Sequence, residues 1–347
     1  MSQQAKPVSW RGRAWPLAWR VAPIAVAVLV VATAGGKPAP RGKPGGIVVL
    51  DNCDPEYKGK ETYEDNLSFL DAGGKLRSRV SGLNIAEEIG SPHRVAVDAE
   101  RERVWVAEMV GNRLLQYDLA GKQTAVVPDF RGGTIAIDPE TGNAWVTRGS
   151  GMIGEGSLEV FDKAGRSVAR HDIRGYDIAY DGKSKAFWLV EQQLLKVSLE
   201  GNVLVRKDIA DWCAVSVAVN QKTGTVWVVT RKYDEKQGKN ELLAFDGQGK
   251  PLHTISLDER MPFRVSVNSD DGSVWVANIG KSILHFNAAG KLQREYPHAA
   301  LSAEVDPATG NVWIATSEAI LKIDSKGKEL TRTPHKSKTS QAWIASY

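Results

Sequence analysis

Ser91–Lys122 reads SPHRVAVDAERERVWVAEMVGNRLLQYDLAGK. Two apolar runs, Val95–Val97 and Val104–Ala107, flank a polar turn that opens at Asp98. A third run, Leu114–Tyr117, leads through a tight turn to Thr124–Val127. Each run has about the length of a mean strand, and none sustains a 3.6-residue period. The unit is expected to form four strands, A to D, in an antiparallel meander.

The turn between C and D has a physical signature. Asp118 opens it and can accept from backbone N–H groups, while Gly121 supplies the positive φ that closes the hairpin. The pattern returns at Asp71/Gly74, Asp162/Gly165, Asp246/Gly249, Asn287/Gly290 and Asp324/Gly327, with a weaker copy at Ser198/Gly201. Strand B carries a second marker, because Trp105, Trp145, Trp188, Trp227, Trp275 and Trp313 each sit second in an apolar run. Their separations are 40, 43, 39, 48 and 38 residues. Four-stranded sheets of that period cannot bury both faces alone and stack as propeller blades.

The two ends of the chain complete the count. Ile47–Asp51 aligns with strand B, with Val48 in the tryptophan slot, so the first unit lacks a strand A. Trp343 lies 30 residues after Trp313, too few for another strand B, and 341–346 falls where strand A belongs. The expected fold is all-β: a seven-bladed β-propeller closed by the C-terminal strand pairing with the N-terminal blade. The blades are 341–346 with 47–80, then 92–128, 132–173, 174–209, 212–258, 262–297 and 299–334. Six blades are the fallback if 47–80 packs outside the closure.

Residues 1–34 read as a signal peptide or N-terminal anchor. Lys6, Arg11, Arg13 and Arg20 precede an apolar run at 21–34, and Ala32-Thr33-Ala34 fits a cleavage site. The run is short for a membrane span of about 20 residues. Residues 35–46, GGKPAPRGKPGG, have linker composition, and 47–347 form the propeller. Of the chain's 45 basic and 41 acidic residues, 4 basic ones belong to the leader, which leaves 41 against 41. The net charge of +4 is therefore the leader's, and nothing in it argues for nucleic acid, or for a membrane beyond an anchor, as partner. A periplasmic or secreted location is expected.

The unit resembles the NHL repeat and related NHL/YVTN-type propellers. Pro92, Arg94-Val-Ala-Val-Asp98, Val104-Trp-Val-Ala-Glu108, Asn112-Arg113 and Tyr117-Asp118 follow its order. Arg94, Trp105 and Glu108 depart from the family's usual Gly, Tyr and Asp. Blade-level likeness extends to virginiamycin B lyase-like propellers, which are metal-dependent enzymes, without matching their catalytic residues. The resemblance implies a propeller used for protein or ligand binding, less often for catalysis, with D–A and B–C connections around one channel mouth.

Three B–C connections are long, 52–66, 149–157 and 231–240, on the first, third and fifth blades. They suggest a walled site. Residues starting strand A or ending strand B should face it: Asp51, His93, Arg94, Glu108, Arg148, Asp177, Glu191, Arg264 and Asn278. Acids, a histidine and arginines converging on a channel suit a polar or anionic ligand, and equally a ring of solvated ion pairs. No metal site is assigned, although Glu108, Glu191, Asp51, Asn278 and His93 leave a divalent cation open as cofactor. The turns at Asp138–Gly142 and Asp306–Gly310 lack the acid pattern of calcium loops and read as turns. Gly149–Gly154 matches GxGxxG, but no helix follows it. Cys53 and Cys213 map to the same face, and a disulfide between them would make 52–66 a lid, with two free thiols as the alternative. Two functions follow: a binding module for a protein or small polar ligand at the loop-bearing face, or a metal-dependent lyase or hydrolase at the same mouth.

Overall fold

The computed structural model describes residues 45–53, 64–83, 94–108, 111–148, 156–209, 214–231, 239–258, 260–278, 281–298, 300–316, 318–334 and 341–346. These form seven four-stranded antiparallel sheets, with no helix among the described residues. Strand A of blades 2 to 7 is Arg94–Asp98, Gly132–Ile137, Asp177–Asp181, Ala214–Val219, Pro262–Val267 and Ala300–Val305. Blade 1 is composite. Its inner strand, Gln341–Ser346, pairs antiparallel with Ile47–Cys53, setting Ile47 opposite Ser346 and Leu50 opposite Trp343. The tail thus closes the ring as expected, and seven blades, not six, is the count.

Two boundaries differ from the sequence reading. Ile47–Cys53 and Glu64–Leu70 stay paired out to Cys53 opposite Glu64, so the first B–C connection spans 54–63 rather than 52–66. Strand D of that blade runs on from Leu76 to Leu83. Polar side chains do not end a strand while its backbone partners remain in register.

All seven C–D hairpins close on a glycine at positive φ: Gly74, Gly121, Gly165, Gly201, Gly249, Gly290 and Gly327. In the one lacking Asp or Asn, the Ser198 hydroxyl accepts from Glu200 and Asn202 N–H. The A–B turns use their acids in the same way. Asp138 accepts from Glu140 N–H and the Thr141 hydroxyl, and Asp306 from Ala308 N–H and the Thr309 hydroxyl.

The strand B tryptophans pack between blades, and Trp105, Trp188, Trp227, Trp275 and Trp313 are wholly buried. Several of their partners are polar. His285 stacks on Trp275 at 4.0 Å between ring centroids, and the Lys322 ammonium lies 4.7 Å from the Trp313 centroid. A lysine opposite the tryptophan in strand C then ties one blade to the next. Lys196 pairs with Asp181 at 3.5 Å and donates to Gly247 O of blade 5 at 2.7 Å. Lys322 repeats this across the closure, pairing with Asp306 at 3.0 Å and donating to Ala72 O of blade 1 at 3.4 Å. Thr331 and Thr333 hydroxyls add bonds to Gly73 O and Gly74 O. The closure is thus fastened twice, by backbone pairing within blade 1 and by side-chain bonds from blade 7 to blade 1.

Candidate functional site

In an antiparallel meander the starts of A and C and the ends of B and D share one end of the ring. The B–C and D–A connections therefore cluster there, and the tight A–B and C–D turns occupy the other end. Strand A lines the axis, so register with strand B sorts its residues into tiers.

Nearest the loop-bearing end stand Arg94 opposite Ala107, Asp177 opposite Val190, Ser216 opposite Val229, Arg264 opposite Ala277, Ser302 opposite Ala315 and Trp343 opposite Leu50. Two residues further along, on the same face of each strand, come Ala96, Ala136, Ala179, Ala218 and Ala345, with Ser266 and Glu304 in blades 6 and 7. A tier that is polar in five of these six blades thus overlies a tier of small residues that one glutamate interrupts.

The polar tier has a backbone task. Strand A is an edge strand, and its axis-facing N–H groups have no neighbouring strand to accept them. Acceptors on the preceding blade serve instead: Asp177 Oδ2 for Val217 N–H at 2.9 Å, Ser216 Oγ for Val265 N–H at 3.3 Å, and Ser266 Oγ for Val305 N–H at 3.0 Å. The Arg264 guanidinium bypasses blade 5 and donates to Asp177 Oδ2 at 3.0 Å. Arg264, Asp177 and Glu304 are all buried. Burial depresses the Arg264 guanidinium, with Asp177 the chief opposing influence. Burial pushes the Glu304 carboxyl well above the usual carboxylate range, and Arg264 opposes it.

Among the candidates from the sequence, the structure brings Asp177 and Arg264 together. Three others turn to partners on their own blades. Glu108, fully buried, forms a two-pronged ion pair with Arg113 across the B–C hairpin, with Nη2–Oε1 at 2.9 Å. This pair raises the Arg113 guanidinium, while burial first and Glu108 second push the Tyr117 phenol up to about 12. Arg148 pairs with Glu159 at 3.1 Å and lies over the Phe130 ring. Asn278 Nδ2 donates to Ser282 Oγ at 3.2 Å, and that hydroxyl donates to Glu295, itself paired with Arg260. Glu191 is partly exposed in a turn whose carbonyl accepts from Ala214 N–H. Asp51 and Arg94 sit in their strands opposite Asn66 and Ala107, and their side chains lie outside the described residues, as do His93 and Cys213. The Cys53 backbone pairs with Glu64, and its side chain is likewise outside.

Glu304 was not among the candidates, although a signal for it existed. It stands nine residues before Trp313, where Ala96, Ala136, Ala179 and Ala218 stand nine before their own tryptophans. Ser216, Ser266 and Ser302 escape notice in a sequence because serine is common in strands with one wet face.

Ring closure and a charged core on the axis define the class: a seven-bladed β-propeller of the repeat type, with its connections gathered at one end. No protein-family model and no curated protein matches the sequence. Among solved structures, the chain is similar to the hydrazine synthase of Kuenenia stuttgartiensis, with a TM-score of 0.62 at 13% identity over 76% of this chain and 90% of that one. A functionally unknown protein from Desulfotomaculum acetoxidans gives 0.61 at 14% identity over 87% and 99%. Virginiamycin B lyase from Staphylococcus aureus gives 0.55 at 14% identity over 74% and 88%. At these identities the likeness is one of fold, and function must be argued from the site.

Proposed function

We propose that this protein is an exported binding propeller that takes a protein or small polar ligand at the end of the ring carrying the B–C and D–A connections. The observation that carries the reading is the asymmetry of the two ends. One end is made of short turns whose opening Asp, Asn or Ser side chain accepts from the turn's own backbone N–H groups. The other carries the long connections of blades 1, 3 and 5, and functional residues concentrate on such loops. Around it stand three ion pairs: Glu108 with Arg113, Arg148 with Glu159 and Asp177 with Arg264. Matched pairs suit a rigid platform better than a reaction, which needs a group held ready to change protonation or attack. Export follows from the leader-like composition of residues 1–34.

A thermal-shift screen against polar metabolites, peptides and divalent cations tests this. The expected result is a stabilising organic ligand or peptide whose effect disappears when 149–156 and 231–240 are replaced by short Gly-Asn turns. The same ligand should still stabilise a protein altered at the C–D turns. Stabilisation by a divalent cation alone, with turnover lost in Glu191→Gln, would replace binding with metal-dependent catalysis.

A further inference from the structure

Among the inner-strand residues whose side chains are described, two acids, Asp177 and Glu304, stand near one base, Arg264; Arg94 shares their tier with its side chain outside that set. Asp177 and Glu304 both lie on inner strands near Arg264, the guanidinium they share. Arg264 is committed to Asp177. Asp177 also accepts from Ile178 and Val217 N–H, at 2.9 Å each, so it has three donors. For Glu304 the described residues supply one donor, the Ser266 hydroxyl, beside the field of Arg264. Glu304 Oε2 is buried and has no hydrogen-bond partner among the described residues, as do Arg264 Nε and Ser302 Oγ. All three atoms are shielded from bulk solvent. The positions equivalent to Glu304 are alanine in five blades and serine in the sixth, so the acid sits in a slot sized for a methyl group.

A buried carboxylate with one oxygen unpartnered is costly to hold ionised, and burial favours its protonated form. Among the described residues, the elements packed most closely against Ala300–Val305 offer no second base. They are Pro262–Val267, Val274–Asn278, Ser282–Phe286, Val312–Thr316 and Gln341–Ser346. The ionisable residues in them are Arg264, already engaged, and His285, which lies flat on Trp275 and whose imidazole pKa burial lowers. On its own turn the neighbour is Asp306, an acid already paired with Lys322.

We propose that Glu304 is a proton-operated latch: the ring closes around the neutral acid, and alkalinisation that ionises it loosens blade 7 from blade 6. The contact at stake is the one beside it, where Ser266 accepts from Val305 N–H. Between the ordinary glutamic acid value of 4.5 and the raised one, the folded ring holds a proton that the unfolded chain has lost. Stability from this group is therefore complete below that window and declines as pH rises through it, by up to about tenfold in the unfolding constant per pH unit.

Equilibrium urea unfolding of the full ring from about pH 5 to 9 tests the latch, with Glu304→Gln and Glu304→Ala beside the wild type. The difference between wild type and either variant removes the histidine titrations, including those of His285 and His298. The wild type should lose stability relative to both variants with rising pH. The alanine variant restores the residue that five other blades carry and is expected to fold. Parallel profiles for all three proteins would overturn the proposal. So would an infrared spectrum of glutamate-labelled wild type at neutral pH without a protonated-carboxyl C=O band that Glu304→Gln removes. Arg94→Gln guards against a hidden counter-ion: a pH slope that steepens in that variant would show that Arg94 shares the carboxyl and would count against Glu304 acting alone.

Discussion

Replacing Lys322 with methionine tests how the ring is fastened at its seam. The ammonium is buried, 3.0 Å from Asp306 Oδ2, 3.4 Å from Ala72 O of the first blade and 4.7 Å from the Trp313 centroid. Methionine keeps most of the stem and removes the charge. At 3.0 Å and an effective dielectric near 20, the attraction amounts to about 5 kcal/mol. Part of that offsets the desolvation of the lysine, and removing one partner of a buried pair typically costs about 3 to 5 kcal/mol. Asp306 keeps two donors from its own turn, which places Lys322→Met near the lower bound, at about 3 kcal/mol. For roughly 300 ordered residues this lowers Tm by about 5 °C. Urea unfolding and calorimetry measure both quantities. Adding Asp306→Asn should recover at least about 1 kcal/mol, because the stranded charge is then gone. A loss under about 1 kcal/mol for the single variant, or no recovery in the double, would refute a buried pair as the fastener.

Two further outcomes follow. Gly74 and Gly82 share nearly the same φ, +79° and +75°, yet a Cβ on Gly74 would stand 2.5 Å from Thr333 Oγ1 while one on Gly82 meets nothing within 4 Å. Gly82→Ala should therefore cost about 1 kcal/mol from backbone strain alone, and Gly74→Ala about 2 or more, with Thr333→Ala relieving the excess; equal losses on urea unfolding would contradict the packing at the seam. Truncation after Thr339 removes the inner strand of blade 1 and bares an edge along Ile47–Cys53, so size-exclusion chromatography should show aggregates where the full chain gives one species. A soluble, cooperatively folding truncation would mean that the closure is dispensable.

Most of the fold was legible because the repeat writes its register into the sequence. One tryptophan per strand B and one glycine per C–D turn fix the phase of six units, and the missing strand at one end matches the surplus strand at the other. The length of the first B–C connection was less legible, because Asp51, Asn52, Glu64 and Asp65 look like loop residues, and backbone pairing carries them as strand. The site was harder for a different reason. Asp177 and Arg264 could be placed on inner strands from spacing, but their contact joins residues 87 apart across an intervening blade. Only geometry tells which arginine reaches past a neighbour. Glu108, Arg148 and Asn278 have side chains long or polar enough to find partners within their own blades, which spacing along a strand does not reveal. Glu304 was the opposite case, an acid betrayed by the alanines at its equivalent positions, visible once the units are stacked in register.

The pairing of Ile47 with Ser346 also bears on how the chain could be rewired. Paired residues in an antiparallel ladder lie about 5 Å apart, so a linker of two or three residues would join head to tail with no change in the sheets. New termini could then be opened in any D–A connection, giving a circular permutant in which every sheet is a single continuous hairpin array. Such a protein would keep the contacts of the natural one but need no distant strand to return before its first sheet is whole. Folding would then depend less on long-range loop closure, and the order in which the ring assembles would become a property of where it is cut.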